Sequence, residues 1–183
     1  MRHSIRPDLS MITVPYPNTY WVVPAQFLAG EHPADLDDAT TTARLSSLLA
    51  AGVRTFVDLT QEHEADSYHQ LLQAVAADCD TDSTVLRIPI PDRKVPSVST
   101  LRCILDVIDS SLRVKNPVFV HCFAGIGRTG TVVGCYLRRH GLANRQDVIT
   151  HIAGLRMRMP IASESSPHTS EQVRFVENWN EGL

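Results

Sequence analysis

A short apolar run that ends in a cysteine and passes straight into glycines limits most sharply how this chain can fold. In PVFVHCFAGIGRTG, residues 117–130, positions 118–120 are all apolar, the pattern of a parallel strand covered on both faces. Parallel strands need crossover connections, most often helices, and the flanking sequence supplies them. DLDDATTTARLSSLLAAG reads as a helix closed at Gly52, VRTFVDLT as a strand, and ADSYHQLLQAVAADCD as a helix with Leu71, Leu72 and Val75 on one face. TVLRIPI from Thr84 reads as a further strand, and SVSTLRCILDVIDSSLRV places Val98, Leu101, Leu105, Ile108 and Leu112 at helical spacing behind Ser97 as a candidate cap. RTGTVVGCYLRRHG, NRQDVITHIAGLRM from Asn144 and TSEQVRFVENW read as later helices, and YWVVPAQFLAG as extended pieces broken at Pro24. The alternation predicts an α/β fold, one domain with a central, mostly parallel sheet of about four or five strands and helices on both faces.

Residues 1–18, rich in proline and polar groups, read as an irregular N-terminal segment, and 19–183 as the single domain. The 17 basic and 20 acidic residues are spread along the chain, so no continuous basic surface points to nucleic acid or an anionic membrane. The N-terminal residues lack an apolar stretch of signal-peptide length, and no run approaches a membrane span, so a cytoplasmic location is expected. Cys79, Cys103, Cys122 and Cys135 lie far apart without a CxxC pair, which suits neither a zinc site nor a disulfide framework. All but Cys122 are expected as small buried hydrophobes. Oligomeric state is not encoded in any pattern we find.

Cys122 stands at the carboxyl end of the central strand, where open parallel sheets bind ligands. Three of the residues from 122 to 130 are glycine and five residues separate Cys122 from Arg128, so the backbone can curl with its N–H groups inward as an anion cradle. A helix beginning near Arg128 aims its positive end at the same point. Bringing an ordinary thiol, which titrates near ~8.5, down by about three units takes about 4 kcal/mol. A helix end supplies about 0.3–1 kcal/mol, at best about 2, so loop amides, Arg128 and the Thr129 hydroxyl must contribute the rest.

HCFAGIGRTG resembles the phosphate-binding motif of the cysteine-dependent protein tyrosine phosphatases, and the chain length is similar to the compact dual-specificity branch. The resemblance covers about residues 25 to 180. It implies that Cys122 attacks phosphorus, that Arg128 grips two phosphate oxygens, and that Thr129 stabilises the departing thiolate. Backbone groups of Phe123, Ala124, Gly125, Ile126 and Gly127 would hold the remaining oxygens. His121 is open to two readings, general base for the thiol or a residue that orients the loop, and the resemblance favours the second.

The leaving group needs a proton donor on a neighbouring strand-end loop, and Asp92 in IPIPDRKVPS precedes Cys122 by 30 residues. The family carries an aspartate at about that distance. Asp58 is the competitor, and a turn-stabilising role is the structural alternative for Asp92. Gln172 matches a glutamine that positions the hydrolytic water in many relatives, but Thr169 and Gln172 also spell a T-x-x-Q capping box, and one amide cannot easily serve both. Arg93 and Lys94 read as a solvated loop face, and Glu31 and His32 as a turn.

No cofactor and no metal are implied. The apolar cradle positions Phe123, Ala124 and Ile126 suit a phosphorylated protein or peptide, above all an aryl phosphate, better than a polyphosphorylated headgroup. The expected reaction is hydrolysis of phosphotyrosine, with phosphoserine or phosphothreonine as further substrates. A phosphoprotein-binding module without turnover, and sulfur transfer or arsenate reduction on a cysteine loop, are the alternatives.

Overall fold

The computed structural model describes residues 13–65 and 67–180. In chain order these form β1 (Thr19–Val23), β2 (Phe27–Gly30), α1 (Asp38–Ala50), β3 (Thr55–Asp58), α2 (His69–Asp78), β4 (Thr84–Arg87), α3 (Val98–Arg113), β5 (Val118–His121), α4 (Gly127–Arg139), α5 (Val148–Arg156) and α6 (Ser170–Glu177). The sheet order is β1-β2-β5-β3-β4. β1 pairs antiparallel with β2, and the other neighbours are parallel. Pro24 fits the hairpin turn between β1 and β2, where it needs no N–H for a ladder. β5 is therefore central, and its four residues are all buried.

Alternation along the strands divides the core. Phe27, Ala29, Val57, Val118 and Val120 face α3 to α6, whereas Leu28, Phe56 and Phe119 face Leu45, Leu48 and Leu49 of α1 and Leu72, Val75 and Ala76 of α2. A single apolar run in β5 thus feeds two cores because successive side chains point to opposite faces. Asp37 and Ser97 cap α1 and α3, each side chain accepting a backbone N–H three residues on.

Several expectations are corrected. Cys79 and Cys103 are exposed, and of the three cysteines expected in the core only Cys135 is buried. Along α3 the buried stripe is Leu101, Ile104, Leu105 and Ile108; Val98 at the helix start is 42% exposed, since a first-turn side chain has no neighbour beyond it. β4 stops at Arg87 with only intermediate and exposed residues, as an edge strand does. Asn144 precedes α5 in a turn, its carbonyl accepting from Val148 N at 3.0 Å. Of the expected N-terminal segment, residues 1–12 lie outside the described residues. Tyr16 is buried and packs edge-on against Phe119. No helix among the described residues is long and apolar enough to cross a membrane.

Candidate active site

Leaving β5, the chain turns at Cys122, which is only 2% exposed, and enters α4 five residues later. Gly125 holds φ +69°, and a Cβ there would run into the peptide joining Gly30 to Glu31 at the end of β2. The loop is thus pressed against the neighbouring strand end, a fit that only glycine allows. Further bonds fasten it from both sides. His32 N donates to Phe123 O at 2.9 Å, and Ser166 Oγ donates to Ile126 O at 2.7 Å. Cys122 lies in a cavity of about 390 Å³ whose walls include Arg128, Asp92 and Glu64, with Phe123 and Ala124 on one side and His168 and Arg93 on another. Phe123 is 58% exposed.

Arg128 is held by a fork of acids. Its Nη1 donates to Glu64 Oε1 at 2.9 Å and to Ile90 O at 3.0 Å. Its Nη2 lies 2.7 Å from Glu64 Oε2 and 3.2 Å from Asp92 Oδ1. Burial raises the Glu64 carboxyl, but the hydrogen bond from Arg128, the Gln61 backbone N–H and the charge of Arg128 together outweigh it and leave Glu64 below its ordinary value. Burial likewise lowers Arg128, and Glu64, Cys122 and Asp92 together more than reverse it. The two acids differ in exposure: Glu64 is 14% exposed and Asp92 65%.

Beneath the loop lies a second, fully buried set. His121 Nε2 is 2.7 Å from Tyr68 Oη, and Nδ1 is 3.3 Å from the carbonyl of Cys122. A carbonyl only accepts, so Nδ1 carries the proton and Nε2 accepts from the phenol. Burial, partly countered by Asp58, pushes His121 down to about 3, leaving the ring neutral. Asp58 accepts from Thr60 N and Oγ1 at 2.8 and 2.6 Å and from Arg87 Nε at 2.9 Å. Burial raises it, yet His121 and these donors keep it below its ordinary value. Asp58 is therefore a buried structural acid, not a rival proton donor at the cavity.

His32, Asp58 and His121 bring possible ligand atoms within 4.8 Å of one another, but the Asp58 oxygens and both His121 nitrogens already have partners. The donor set reads as a hydrogen-bonded floor.

Thr129 Oγ1 is buried and has no hydrogen-bond partner among the described residues. Of the two readings open for Gln172, the structure shows the capping box. The side chain is fully buried, and its Oε1 accepts from His168 N at 3.2 Å and Thr169 N at 3.1 Å, completing the capping box. Its Nε2 donates to Lys94 O at 3.1 Å. Two bonds hold the amide in the cap and the third ties it to the loop of Lys94, and the side chain is not among those lining the cavity. Arg93 is exposed, as expected of solvated loop surface, and also borders the cavity. Glu64 and His168 were not singled out from sequence. Glu64 had a legible signal, since it follows the carboxyl end of β3, the strand beside β5; His168 had none.

A model of the family described as "Polymorphic toxin system, DSP-PTPase phosphatase" matches residues 34–142. Mouse dual specificity protein phosphatase CDC14B is 41% identical over 70 residues, 38% of this chain and 13% of its own length. The Arabidopsis thaliana phosphatidylinositol 3,4,5-trisphosphate 3-phosphatase and protein-tyrosine-phosphatase PTEN1 is 32% identical over 101 residues, 54% of this chain and 23% of its own length. The matches thus span less than a quarter of these relatives. The crystal structure of Tk-PTP in the active form shares the fold, with a TM-score of 0.71 and 23% identity over 92% of this chain and 99% of that one. With a family match across more than half its length and the cysteine-to-arginine loop inside the matched region, the chain belongs to the dual-specificity-type (DSP-PTPase) protein tyrosine phosphatase family.

Proposed function

We propose that this protein is a phosphoprotein phosphatase that hydrolyses phosphotyrosine, and phosphoserine or phosphothreonine more slowly, through a cysteinyl-phosphate on Cys122. The observation that carries this reading is the convergence of a buried Cys122, Arg128 and Asp92 on one cavity. A thiol at the base of a pocket is reached most easily by a phosphate on a long, flat aryl group. Residues 19–183 are the proposed catalytic unit, acting in a reducing compartment such as the cytoplasm, where a thiolate persists. The family description extends the proposal to a role in a polymorphic toxin system.

In the first step the Cys122 thiolate attacks phosphorus, the bond to the leaving oxygen breaks, and Asp92 donates its proton to that oxygen. Arg128 forks two equatorial oxygens, and the amides of residues 123–127 hold the rest. An arriving phosphate takes the place of the exposed Asp92 carboxylate on Arg128, while Glu64 keeps the guanidinium aligned from behind. In the second step water attacks phosphorus, Asp92 takes its proton, and the thiolate leaves, with the unpartnered Thr129 hydroxyl as its hydrogen-bond donor. His121 acts on the loop backbone and takes no part in proton transfer.

The test is phosphate release from p-nitrophenyl phosphate between about pH 4 and 8, with EDTA present, by the parent and Cys122→Ser. An acidic optimum that disappears in the variant supports the reading. Phosphopeptide binding without turnover by the parent would replace it with the binding-module reading, and sulfite release from thiosulfate with sulfur transfer. A lipid-phosphate reading is favoured by one observation, the cation Arg93 on the cavity wall, and by the lipid phosphatase activity in the name of the PTEN1 relative. Comparable rates on an inositol phosphate and a phosphotyrosine peptide would establish it.

A further inference from the structure

The loop that carries Asp92 is fastened to the start of α6, and the fastener is Gln172. Its Nε2 donates to the carbonyl of Lys94, two residues beyond Asp92, at 3.1 Å. Its Oε1 is fixed at the same time by the backbone N–H groups of His168 and Thr169. The amide is thus a rigid bridge between a helix cap and the acid loop. A second contact lies beside it, with Arg93 Nη1 3.4 Å from His168 Nε2. Arg93, next to Asp92, holds φ +61°, a conformation a non-glycine residue keeps only when its surroundings impose it.

The bridge also sits against the phosphate loop. A Cβ on Gly127, the first residue of α4, would come within 3.0 Å of Gln172 Oε1 and 3.2 Å of Nε2. The lack of a side chain there lets the amide pack onto the loop that follows Cys122. Cap, acid loop and phosphate loop therefore meet at one buried side chain, which is 0% exposed.

We propose that Gln172 is the positioning residue for the general acid: it sets the distance of Asp92 from the phosphate loop through the Lys94 carbonyl, and does not hold the hydrolytic water. The proposal rests on the phosphatase reading above. It assigns to Gln172 an effect on protonation of the leaving group, and none specific to hydrolysis of the phosphoenzyme.

Gln172→Glu separates the parts of the bridge. A glutamate at this position still accepts the cap N–H groups, because S/T-x-x-E is itself a capping box. As a carboxylate it cannot donate to Lys94 O, so with the assays run at neutral pH, where the ionised form is favoured, the cap survives and the tether is lost. The measurements are the thermal midpoint, steady-state rates on phenyl phosphate and on 2,4-dinitrophenyl phosphate, and the pre-steady-state burst of phenol release. The expected result is a lowered thermal midpoint with the protein still folded at the assay temperature, and a fall in kcat on phenyl phosphate about tenfold or more beyond the fall on the dinitrophenyl ester. General acid catalysis contributes roughly 10²–10⁴-fold and is needed most by the poorer leaving group. In an Asp92→Asn background the same substitution is expected to have little further effect, because residues acting through one group are not additive.

An equal fall on both esters accompanied by a new burst places Gln172 on the hydrolytic step and overturns the proposal. An unchanged ratio of the two rates, or an undiminished effect in the Asp92→Asn background, overturns it as well. Absence of Cys122-dependent turnover in the parent is a different result, since it removes the phosphatase reading itself.

Discussion

The loop from Cys122 to Arg128 rests on one network and opens through another, and the two are built on opposite terms. Below it, Tyr68, His121, Asp58 and Arg87 form a hydrogen-bonded floor in which His121 and Asp58 are completely buried. Above it, Arg128, Glu64 and Asp92 form a charged mouth with one partner in solvent. In the floor a neutral imidazole carries the link to the loop backbone, and every bond is between groups of the protein. At the mouth an arginine is held by carboxylates that have the same sign as the substrate. On the proposed mechanism the floor can be permanent, whereas part of the mouth gives way each time a phosphate binds. The proposed mechanism asks for rigidity under Cys122 and exchangeability beside Arg128, and separate side chains supply them.

The largest effect expected from breaking this division is at the mouth. Arg128→Lys keeps a charge but loses the fork, and kcat is expected to fall by roughly 10²–10³-fold, the range for losing an aimed transition-state donor. Rapid-quench rates with the thermal midpoint measured alongside check it, and a loss of less than about tenfold, a little over 1 kcal/mol, would remove Arg128 from the role given above.

The floor should show itself in acid. Unfolded, His121 takes up its proton near ~6.5, whereas folded it stays neutral to about 3. Across that window the unfolded chain binds more protons, so stability falls as pH falls. The carboxylates of Asp58 and Glu64, held low in the fold, act in the same direction at the acid end. Between neutral pH and about 4.5 the His121 contribution amounts to about 2–3 kcal/mol, read by urea unfolding. Equal stability at the two pH values would show that His121 is already protonated in the fold. An acidic activity optimum then coincides with the range in which the floor weakens, and activity should decay with time there before it decays at neutral pH.

Glu64→Gln sharpens the contrast from the other side. It preserves shape while removing charge from the fork behind Arg128, and a charge-assisted bond is worth about 1.5–3 kcal/mol. A fall in kcat/KM of about ten- to hundredfold is expected from that range, measured on a phosphotyrosine peptide, with the fold intact. An increase in kcat/KM would mean that Glu64 competes with substrate and does not align its partner.

The smallest effect is expected from Tyr68→Phe. Loss of the phenol leaves His121 Nε2 without that donor, at a cost of about 1–3 kcal/mol in stability, while kcat stays within a few-fold. A large loss of kcat with unchanged stability would move Tyr68 from the floor into the chemistry.

The fold was readable because its signals are local. Gly52, Ser97 and Gly141 punctuate helices by their own backbone preferences, and the apolar run of β5 declares a covered strand. The place of Asp92 beside the cavity was legible for a related reason, since the loop bearing it follows the carboxyl end of β4. The exposed Cys79 and Cys103 were not legible, because a free cysteine packs or projects according to the partner surface. Arg93 is exposed, as a charged loop residue is expected to be, and only the fold sets it beside the cavity as well.

By itself the sequence determined the order of strands and helices, the cradle from Cys122 to Arg128, and the family the chain belongs to, because each depends on residue spacing within one segment. Tertiary structure alone decided which acid stands behind Arg128, that His121 is neutral, and that Gln172 faces the acid loop. Those facts join residues far apart in the chain, 64 positions in the case of Arg128 and Glu64. An ion pair, a desolvation and a side-chain amide with two alternative partners acquire their energies only from what the fold brings alongside.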